Sequence, residues 1–264
     1  MSNRIIRDVE FDYVIVDEAA KATFPELAVS LNKAHKIILV GDHQQLPPVL
    51  DTEIIRNNKE KLDEEGLAQG IFERMYNMFP EDNKHRLTIQ YRMHPTIGTL
   101  ISHVFYNDEI QNGVEAQDRE LCIEGYEGIA IEWISTSKYS TKERYEKEFD
   151  NNGKKSYQNY LERNIIERKL LELDSKLVKR TKVAVITGYG SQKYILQTMV
   201  KQHSFKHIEV DVDTVDAFQG SQKDIILYST VRSSGNKYGI GFLKSEARIN
   251  VAFSRACLLY TSDA

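Results

Sequence analysis

Residues 11–20 read FDYVIVDEAA, in which an apolar run of strand length, Phe11–Val16, ends at the carboxylates Asp17 and Glu18. A short continuous run of β-branched and aromatic residues is typical of a strand buried in a parallel sheet. Similar runs recur on the C-terminal side and alternate with segments whose apolar residues repeat every three or four positions. This alternation predicts an α/β fold, in which crossover helices connect parallel strands.

The predicted strands share short length and β-branched composition: Phe11–Val16, Lys36–Val40, Leu87–Gln90, Ile129–Ile134, Lys182–Thr187, Ile208–Val212 and Asp224–Thr230. The predicted helices share the helical repeat of apolar residues: Phe24–Leu31, Leu67–Phe79, Pro95–Phe105, Tyr157–Leu177 and Ser191–His203. Strands and helices therefore alternate over most of the chain.

Two polar stretches interrupt this pattern. The first, Phe79 to Arg86, contains a proline and precedes a new strand, so it predicts a boundary between domains at residues 1–82 and 83–256. The second, Ser135 to Ser156, is crowded with Lys, Glu and Asn and predicts an exposed, mobile insertion.

The composition narrows the class of protein. The 264 residues include 35 Lys and Arg against 39 Asp and Glu, so the formal net charge is -4 and any nucleic-acid contact must be a local groove. No apolar run approaches the ~18 residues of a membrane helix, and we expect a soluble intracellular protein without membrane contact, cytoplasmic or, in a eukaryote, nuclear. Cys122 and Cys257 form no CxxC pair and support neither a disulfide framework nor a zinc ribbon.

Polar side chains follow the first two predicted strands, and ligands of open parallel sheets bind beyond the carboxyl ends of strands. Asp17 and Glu18 suit a magnesium nucleotide, one carboxylate holding the ion and the other orienting or deprotonating the attacking water. The simpler alternative is that these acids cap the next helix. In GDHQQLPP, residues 41–48, a glycine and two prolines could hold a Gln side chain where a phosphate lies, although a turn without a ligand fits equally well.

Three further segments combine polar groups with the end or start of an element. In QYRMHP, residues 90–95, the Arg fork suits a phosphate, whereas a surface Arg beside a packing Tyr is the alternative. The loop TVDAFQGSQKD, residues 214–224, offers hydroxyl, amide and backbone groups to a nucleic-acid backbone. In EARINVAFSRA, Arg248 and Arg255 are seven positions apart and share one side of a helix.

Taken together and in order, five segments resemble motifs two to six of superfamily 1 helicases: VIVDEAA (14–20), VGDHQQLPP (40–48), QYRMHP (90–95), TVDAFQGSQKD (214–224) and RINVAFSRA (248–256). The nearest group is subfamily 1B, which contains the nonsense-mediated-decay helicase and its relatives. The resemblance implies RecA-like parallel sheets with crossover helices, as a partial first RecA-like domain plus most of a second. It also implies ATP and Mg²⁺ as cofactors, and 5′-to-3′ movement on single-stranded DNA or RNA.

The resemblance also implies a role for each matching residue. Asp17 would serve Mg²⁺ through water, Glu18 would activate the attacking water, and Gln45 would sense the terminal phosphate. Arg92 and Arg255 would supply the charge stabilisation of an arginine finger. The remaining implied contacts are adenine stacking by Tyr91, placement between nucleotide and strand for Gln219, Gly220 and Gln222, and nucleic-acid binding or coupling for Thr214 and Asp216.

The sequence departs from the helicase pattern at two places. The GxxxxGK[ST] phosphate loop is absent from the 264 residues, so we expect a fragment running from motif two to motif six, with the loop encoded upstream and the edge beside Phe11–Val16 unpaired. The alternative is a complete, non-hydrolysing RecA-like module that binds a strand or a partner. Residues 257–264, CLLYTSDA, also depart from the pattern, and we assign them to a divergent or foreign tail, which could be a divergent strand, a truncated end or foreign sequence.

Overall fold

The computed structural model describes residues 9–48, 70–151, 154–233 and 240–263. These residues fall into two compact units, one ending at Arg86 and the other beginning at Leu87. The division lies at the end of the polar stretch that predicts a boundary, while the assignment of residues 1–82 and 83–256 to two RecA-like domains stays a prediction. Within the described residues, no helix is both long enough and apolar enough to cross a membrane.

The first unit contains a two-stranded parallel sheet with two helices. Its elements are β1 (Phe11–Val16), α1 (Phe24–Leu31), β2 (Ala34–Leu39) and α2 (Ile71–Met78). The helix α1 begins at a capping box, in which Thr23 and Glu26 satisfy each other's polar groups. The buried side chains Leu27 and Phe72 cover one side of the unit's core, together with Ala19 and Ala20.

The second unit contains a five-stranded parallel sheet in the order β5-β11-β10-β8-β9. Its strands are β3 (Ile89–Gln90), β4 (Gln111–Asn112), β5 (Ile131–Ile134), β6 (Lys147–Asn151), β7 (Lys154–Gln158), β8 (Thr181–Thr187), β9 (Ile208–Thr214), β10 (Lys223–Ser229) and β11 (Ala256–Asp263). Its helices are α3 (Pro95–Phe105), α4 (Thr141–Arg144), α5 (Tyr160–Lys176), α6 (Gly190–Val200) and α7 (Glu246–Phe253). Crossover helices therefore connect parallel strands, and the predicted α/β class is confirmed.

The central strands of this sheet are buried on both faces. Ile225 and Leu227 of β10 belong to the core cluster that also contains residues of α5 and α6. Their neighbours Ile226 and Tyr228, which point to the opposite face, are only 0% and 2% exposed. Continuous apolar runs in the sequence thus become strands that have a covering layer on each side.

The stretch Ser135 to Ser156 is folded in its described residues, so the prediction of a mobile insertion is wrong there. It contains α4 and most of an antiparallel hairpin, β6 and β7. The hairpin is attached to the rest of the unit, because the Ser156 hydroxyl accepts the Ser191 backbone N–H at 3.2 Å. Glu146, which precedes the hairpin, pairs with Arg232 at 2.8 Å. These tertiary contacts stabilise the folded conformation of a stretch whose polar composition buries few apolar side chains.

The described part of residues 257–264 forms a strand, which agrees with the alternative of a divergent strand and not with a segment of foreign sequence. The strand β11 lies between β10 and β5, with Tyr260 opposite both Ile226 and Ile131. Leu259 and Tyr260 are completely buried. The short run Cys-Leu-Leu-Tyr has the apolar, β-prone composition that a central strand requires, although it departs from the helicase pattern.

Candidate functional site

The carboxyl end of β1 presents two exposed carboxylates. Asp17 Oδ1 accepts the backbone N–H of Glu18 at 2.8 Å, and Glu18 has a left-handed backbone with φ 53° and ψ 33°. A non-glycine residue in this conformation costs ~1 kcal/mol and is a reason to look for function. The Glu18 side chain makes no capping hydrogen bond to the short 3₁₀ turn Ala19–Lys21. Helix capping therefore does not account for Glu18.

The carboxyl end of β2 lies at the same edge of the sheet. Val40 donates to the Val16 carbonyl and Ala19 donates to the Val40 carbonyl, each at 2.8 Å, so the segments that follow the two strands are joined. Gly41 is required for this approach, because an added Cβ would lie 2.8 Å from the Ala20 backbone nitrogen. The structure thereby brings the loop of Gln45 to the edge that carries Asp17 and Glu18.

Gln45 is held by a carboxylate that sequence reasoning left unassigned. Its Nε2 donates to Asp42 Oδ2 at 2.9 Å, and Asp42 Oδ1 accepts the Gln44 backbone N–H at 3.0 Å. An Asp two residues before a Gln in a glycine turn is a signal for such support, since Asp side chains bond to the backbone two residues ahead. Asp42 therefore orients the amide of Gln45.

The second unit contains a cavity of about 340 Å³ lined by Tyr91, Arg92, Arg119, Gln222 and Cys257. Tyr91, Arg92 and Gln222 are among the predicted site residues, whereas Arg119 and Cys257 are not. The lining carries two guanidinium groups and no carboxylate, so the cavity favours an anion with oxygen acceptors. Burial raises the pKa of the Cys257 thiol, which keeps it protonated and weakly nucleophilic at neutral pH.

Part of this cavity lies at the amino ends of β10 and β11, while Tyr91 and Arg92 follow the carboxyl end of the short strand β3. Gln222 immediately precedes β10, and Cys257 is the second residue of β11. Ligands of open parallel sheets bind beyond carboxyl ends, as proposed for Asp17 and Glu18, whereas this part of the cavity lies at the opposite edge of its sheet. The strand-end rule therefore accounts for Tyr91 and Arg92 but not for Gln222 and Cys257.

Arg92 and Arg255 meet at Ser254. Arg92 Nη1 donates to the Ser254 carbonyl at 3.3 Å, and Arg255 Nη2 donates to the Ser254 hydroxyl at 2.9 Å. Arg255 is only 2% exposed, and its guanidinium also donates to the carbonyls of Val251 at 3.2 Å and Ser221 at 3.3 Å. The structure thus brings the two arginines together at Ser254, with Arg92 lining the cavity and Arg255 buried outside its lining. A phosphate contact by Arg255 stays a prediction.

The loop after β9 connects the two edges of the sheet. It starts at Thr214, the last residue of β9, and reaches Gln222 before β10, so its ends lie at opposite edges. Gly220 has φ 80°, which only glycine adopts without strain. Asp216 pairs with Arg248 of α7 at 3.5 Å, while Gln219 is half-buried. The predicted loop residues therefore do not form one cluster.

Comparison with known proteins identifies the class. Residues 67–260 match one family model and residues 1–53 match a second, each described as an AAA domain. The first match covers more than half of the chain, and the chain therefore belongs to the AAA-domain family. The resemblance to superfamily 1 helicases of the nonsense-mediated-decay group is also confirmed by the relatives that it matches.

These relatives are longer proteins. The regulator of nonsense transcripts 1 homolog of Neurospora crassa is 36% identical over 255 residues, which cover 94% of this chain and 22% of that protein. The ATP-dependent helicase NAM7 of Saccharomyces cerevisiae is 36% identical over 254 residues, which cover 94% of this chain and 25% of that protein. The crystal structure of an arterivirus helicase, nonstructural protein 10, aligns with 97% of this chain and 40% of that chain at TM-score 0.45 and 14% identity. The chain spans a quarter or less of the length of the first two relatives.

Proposed function

We propose that this chain is a motor portion of an ATP-dependent nucleic-acid helicase, which couples ATP hydrolysis to 5′-to-3′ movement on a single strand in the full-length protein. The observation that carries the proposal is the cavity of the second unit, where Arg92 and Arg119 face an interior without carboxylates. A triphosphate supplies the negative oxygens that such a lining favours. We place the activity inside the cell, in the cytoplasm or nucleus, where nucleic acids are found.

In the first unit, Asp17 is proposed to hold Mg²⁺ through water and Glu18 to activate the attacking water. The donor set fits the ion, because Mg²⁺ takes oxygen ligands and is commonly bound by one or two carboxylates together with waters and substrate phosphates. When bound, Mg²⁺ would neutralise charge that develops on the phosphates. Gln45, oriented by Asp42, is proposed to contact the terminal phosphate through its amide.

In the second unit, Arg92 is proposed to stabilise charge on the phosphates directly. Arg255 is proposed to act with it, since both guanidinium groups bind Ser254. Tyr91 lines the cavity and is 61% exposed as a residue, which suits stacking of its ring against adenine. Gln219, Gly220 and Gln222 are proposed to lie between nucleotide and strand, at the end of the loop nearest the cavity.

The nucleic-acid partner is proposed to be single-stranded DNA or RNA. Between the two roles considered for Asp216, coupling is favoured over direct contact with the strand. Its carboxylate repels phosphates and already pairs with Arg248. Because α7 also leads to Arg255, a movement of the Asp216 loop would be transmitted along α7 toward the cavity. Thr214 retains its hydroxyl for a backbone phosphate at the other edge of the sheet.

The proposal is tested by ATP turnover of the full-length protein in the presence of single-stranded RNA, single-stranded DNA or neither. Replacing Glu18 by Gln removes the proposed base and keeps the side-chain shape, so the strand-stimulated turnover should fall at least ~100-fold. The matched control is Glu10→Gln, which changes an exposed carboxylate at the opposite end of β1 and should leave turnover within twofold of wild type.

The outcomes separate the possibilities. Stimulation by one strand type over the other identifies the nucleic acid. Unchanged turnover in Glu18→Gln would refute the role of Glu18. Absence of any turnover by the wild-type protein with either strand would contradict the motor and favour a non-hydrolysing binding module.

A further inference from the structure

The strand β4 and the residues that follow it form backbone and side-chain hydrogen bonds with the segment that carries Tyr91 and Arg92. We propose that residues 111–119, QNGVEAQDR, form a brace that fixes both side chains for the nucleotide, and that Arg119 is its principal positioning residue. The inference deepens the proposed function and rests on it. None of the five helicase-like segments contains these residues.

The first part of the brace runs beside β3. The Gln111 backbone N–H donates to the Thr88 carbonyl at 2.7 Å, and the Gly113 N–H donates to the Gln90 carbonyl at 2.8 Å. The Gln90 side chain then returns to its own loop, because its Oε1 accepts the N–H groups of Arg92 at 2.9 Å and Met93 at 2.8 Å. The turn between β3 and α3 is therefore fixed from both sides.

Gly113 supports the aromatic ring of Tyr91. A Cβ at this position would collide with the Cε1 and Cδ1 atoms of Tyr91 and with Ile89 Cγ2. The ring therefore lies directly against the glycine backbone, in space that any other residue would occupy. Tyr91 as a whole is still 61% exposed and therefore accessible to a ligand.

Arg119 fixes the backbone on the other side of this ring. Its Nη2 donates to the Tyr91 carbonyl at 2.9 Å and its Nε donates to the Arg92 carbonyl at 3.0 Å. A guanidinium can span two successive carbonyls, whereas the single ammonium of Lys has no such fork. Arg119 also lines the cavity with Arg92, so its charge adds to the attraction for phosphate.

The brace reduces the conformational entropy that is lost when the nucleotide binds. A dipeptide whose backbone and ring are already fixed loses less conformational freedom when it takes up a ligand. Without Arg119, the carbonyls of Tyr91 and Arg92 would lose their shared donor, and the nucleotide would have to order more of this dipeptide when it binds. Loss of the brace should therefore weaken nucleotide binding more than it slows the chemical step.

The experiment measures KM and kcat for ATP in the full-length protein carrying Arg119→Lys, with the binding of a fluorescent ATP analogue and of inorganic tripolyphosphate as separate readouts. The expected result is a ~10-fold rise in KM and a similar loss of affinity for both probes, with kcat within about threefold of wild type. Gly113→Ala should displace the Tyr91 ring. It should therefore weaken binding of the ATP analogue but not of tripolyphosphate, because only the ATP analogue has a base.

The matched control is Arg163→Lys on α5. This arginine has intermediate exposure like Arg119, but it bonds to the side chains of Asn164 and Glu167. Equal ATP affinity in the Arg119 and Arg163 variants would overturn the inference, as would a loss of affinity in Arg119→Lys that only parallels a fall in its thermal unfolding midpoint. If the wild-type protein binds no ATP at all, the proposed function fails first, and the two failures are thereby distinguished.

Discussion

The parallel sheets of the two units arise from similar sequence patterns and differ in how they are covered. In β10 of the second unit, the five residues Ile225 to Ser229 are all buried. In β1 of the first unit, the same kind of apolar run leaves Tyr13 56% exposed and Ile15 66% exposed. A continuous apolar strand therefore specifies a parallel pairing in both units, whereas burial on two faces depends on the layers that other segments supply.

The candidate sites of the two units also differ in how their side chains are held. The carboxylates of the first unit are exposed at a strand end, where the acidic pair is recognisable from the sequence. The arginines of the second unit are held by carbonyl groups from distant segments, as Arg255 is held by Ser221. The acids and the arginines are both recognisable from the sequence, whereas the tertiary contacts that hold the arginines are visible only in the fold.

The largest difference in the free energy of unfolding should be found between matched substitutions in β10 and β1. Leu227→Ala removes a side chain that is 1% exposed in the core of the second unit, and should lower the free energy of unfolding by about 2 to 5 kcal/mol. Ile15→Ala changes a side chain that is 66% exposed, and should cost under about 0.5 kcal/mol. Urea unfolding followed by the fluorescence of the only tryptophan, Trp133 of β5, reports on the second unit, and hydrogen exchange of β1 amides reports on the first.

The expected difference would be contradicted if both substitutions cost the same free energy. Here the cost of Ile15→Ala is read from the exchange of β1 amides, and that of Leu227→Ala from the Trp133 unfolding transition. In that case the open face of β1 would be covered in solution, and the difference between the sheets would disappear.

The units also contain carboxylates with opposite pKa shifts. Burial raises the pKa of Glu162 to about 7 from 4.5, although its carboxylate accepts from the Ser229 hydroxyl at 2.6 Å and the Val231 N–H at 2.8 Å. Hydrogen bonds from the Thr23 backbone N–H and hydroxyl lower the pKa of Glu26 in the first unit. Desolvation therefore outweighs hydrogen bonding at Glu162, while hydrogen bonding dominates at the exposed Glu26.

These shifts predict opposite dependences on pH. The folded state binds the Glu162 proton more tightly than the unfolded state, so its stabilising contribution is complete below pH 4.5 and is lost as pH rises through about 7. Glu162→Gln stays neutral, and its stability relative to wild type should rise by on the order of 1 to 3 kcal/mol between pH 5 and pH 8. Glu26 contributes above its ordinary pKa, and this contribution is lost as pH falls through the lowered value.

The measurement is urea unfolding of wild type, Glu162→Gln and Glu26→Gln between pH 3 and pH 8. A stability difference between Glu162→Gln and wild type that did not change with pH would show that folding does not raise the pKa of Glu162. For Glu26→Gln, the deficit relative to wild type should shrink toward low pH, which is the reverse trend.

The sequence predicted the elements that local pattern determines. The strand Phe11–Val16 and the helices Phe24–Leu31 and Pro95–Phe105 have the predicted bounds. Predicted Leu67–Phe79 is observed as Ile71–Met78, and its first residues, 67–69, lie outside the described residues. The β6 and β7 hairpin and the strand β11 were missed for a physical reason. Their polar or divergent composition is compensated by contacts with distant segments, such as the one between Ser156 and Ser191.

In the candidate site, too, the residues of local motifs could be predicted, whereas a residue that acts through tertiary contacts could not. Glu18, Gln45, Tyr91 and Arg92 were predicted because each follows a strand in a recognisable motif, and their roles stay predictions. Arg119 was missed because its partners, the carbonyls of Tyr91 and Arg92, are 28 and 27 residues away in sequence. A backbone carbonyl has no sequence signature, so a residue that binds only carbonyls cannot be assigned before the fold is known.

The smallest effect concerns two capping boxes with the same sequence signature. Thr23 and Glu26 begin α1, which buries Leu27, whereas Ser140 and Glu143 begin α4, a helix of four residues with no buried side chain. Thr23→Ala should cost about 1 kcal/mol and increase hydrogen exchange in α1. Ser140→Ala should cost only a few tenths of a kcal/mol, roughly, because so short a helix contributes little that a cap could preserve. Equal costs would mean that the cap acts on the local turn alone, independently of the side chains that its helix buries.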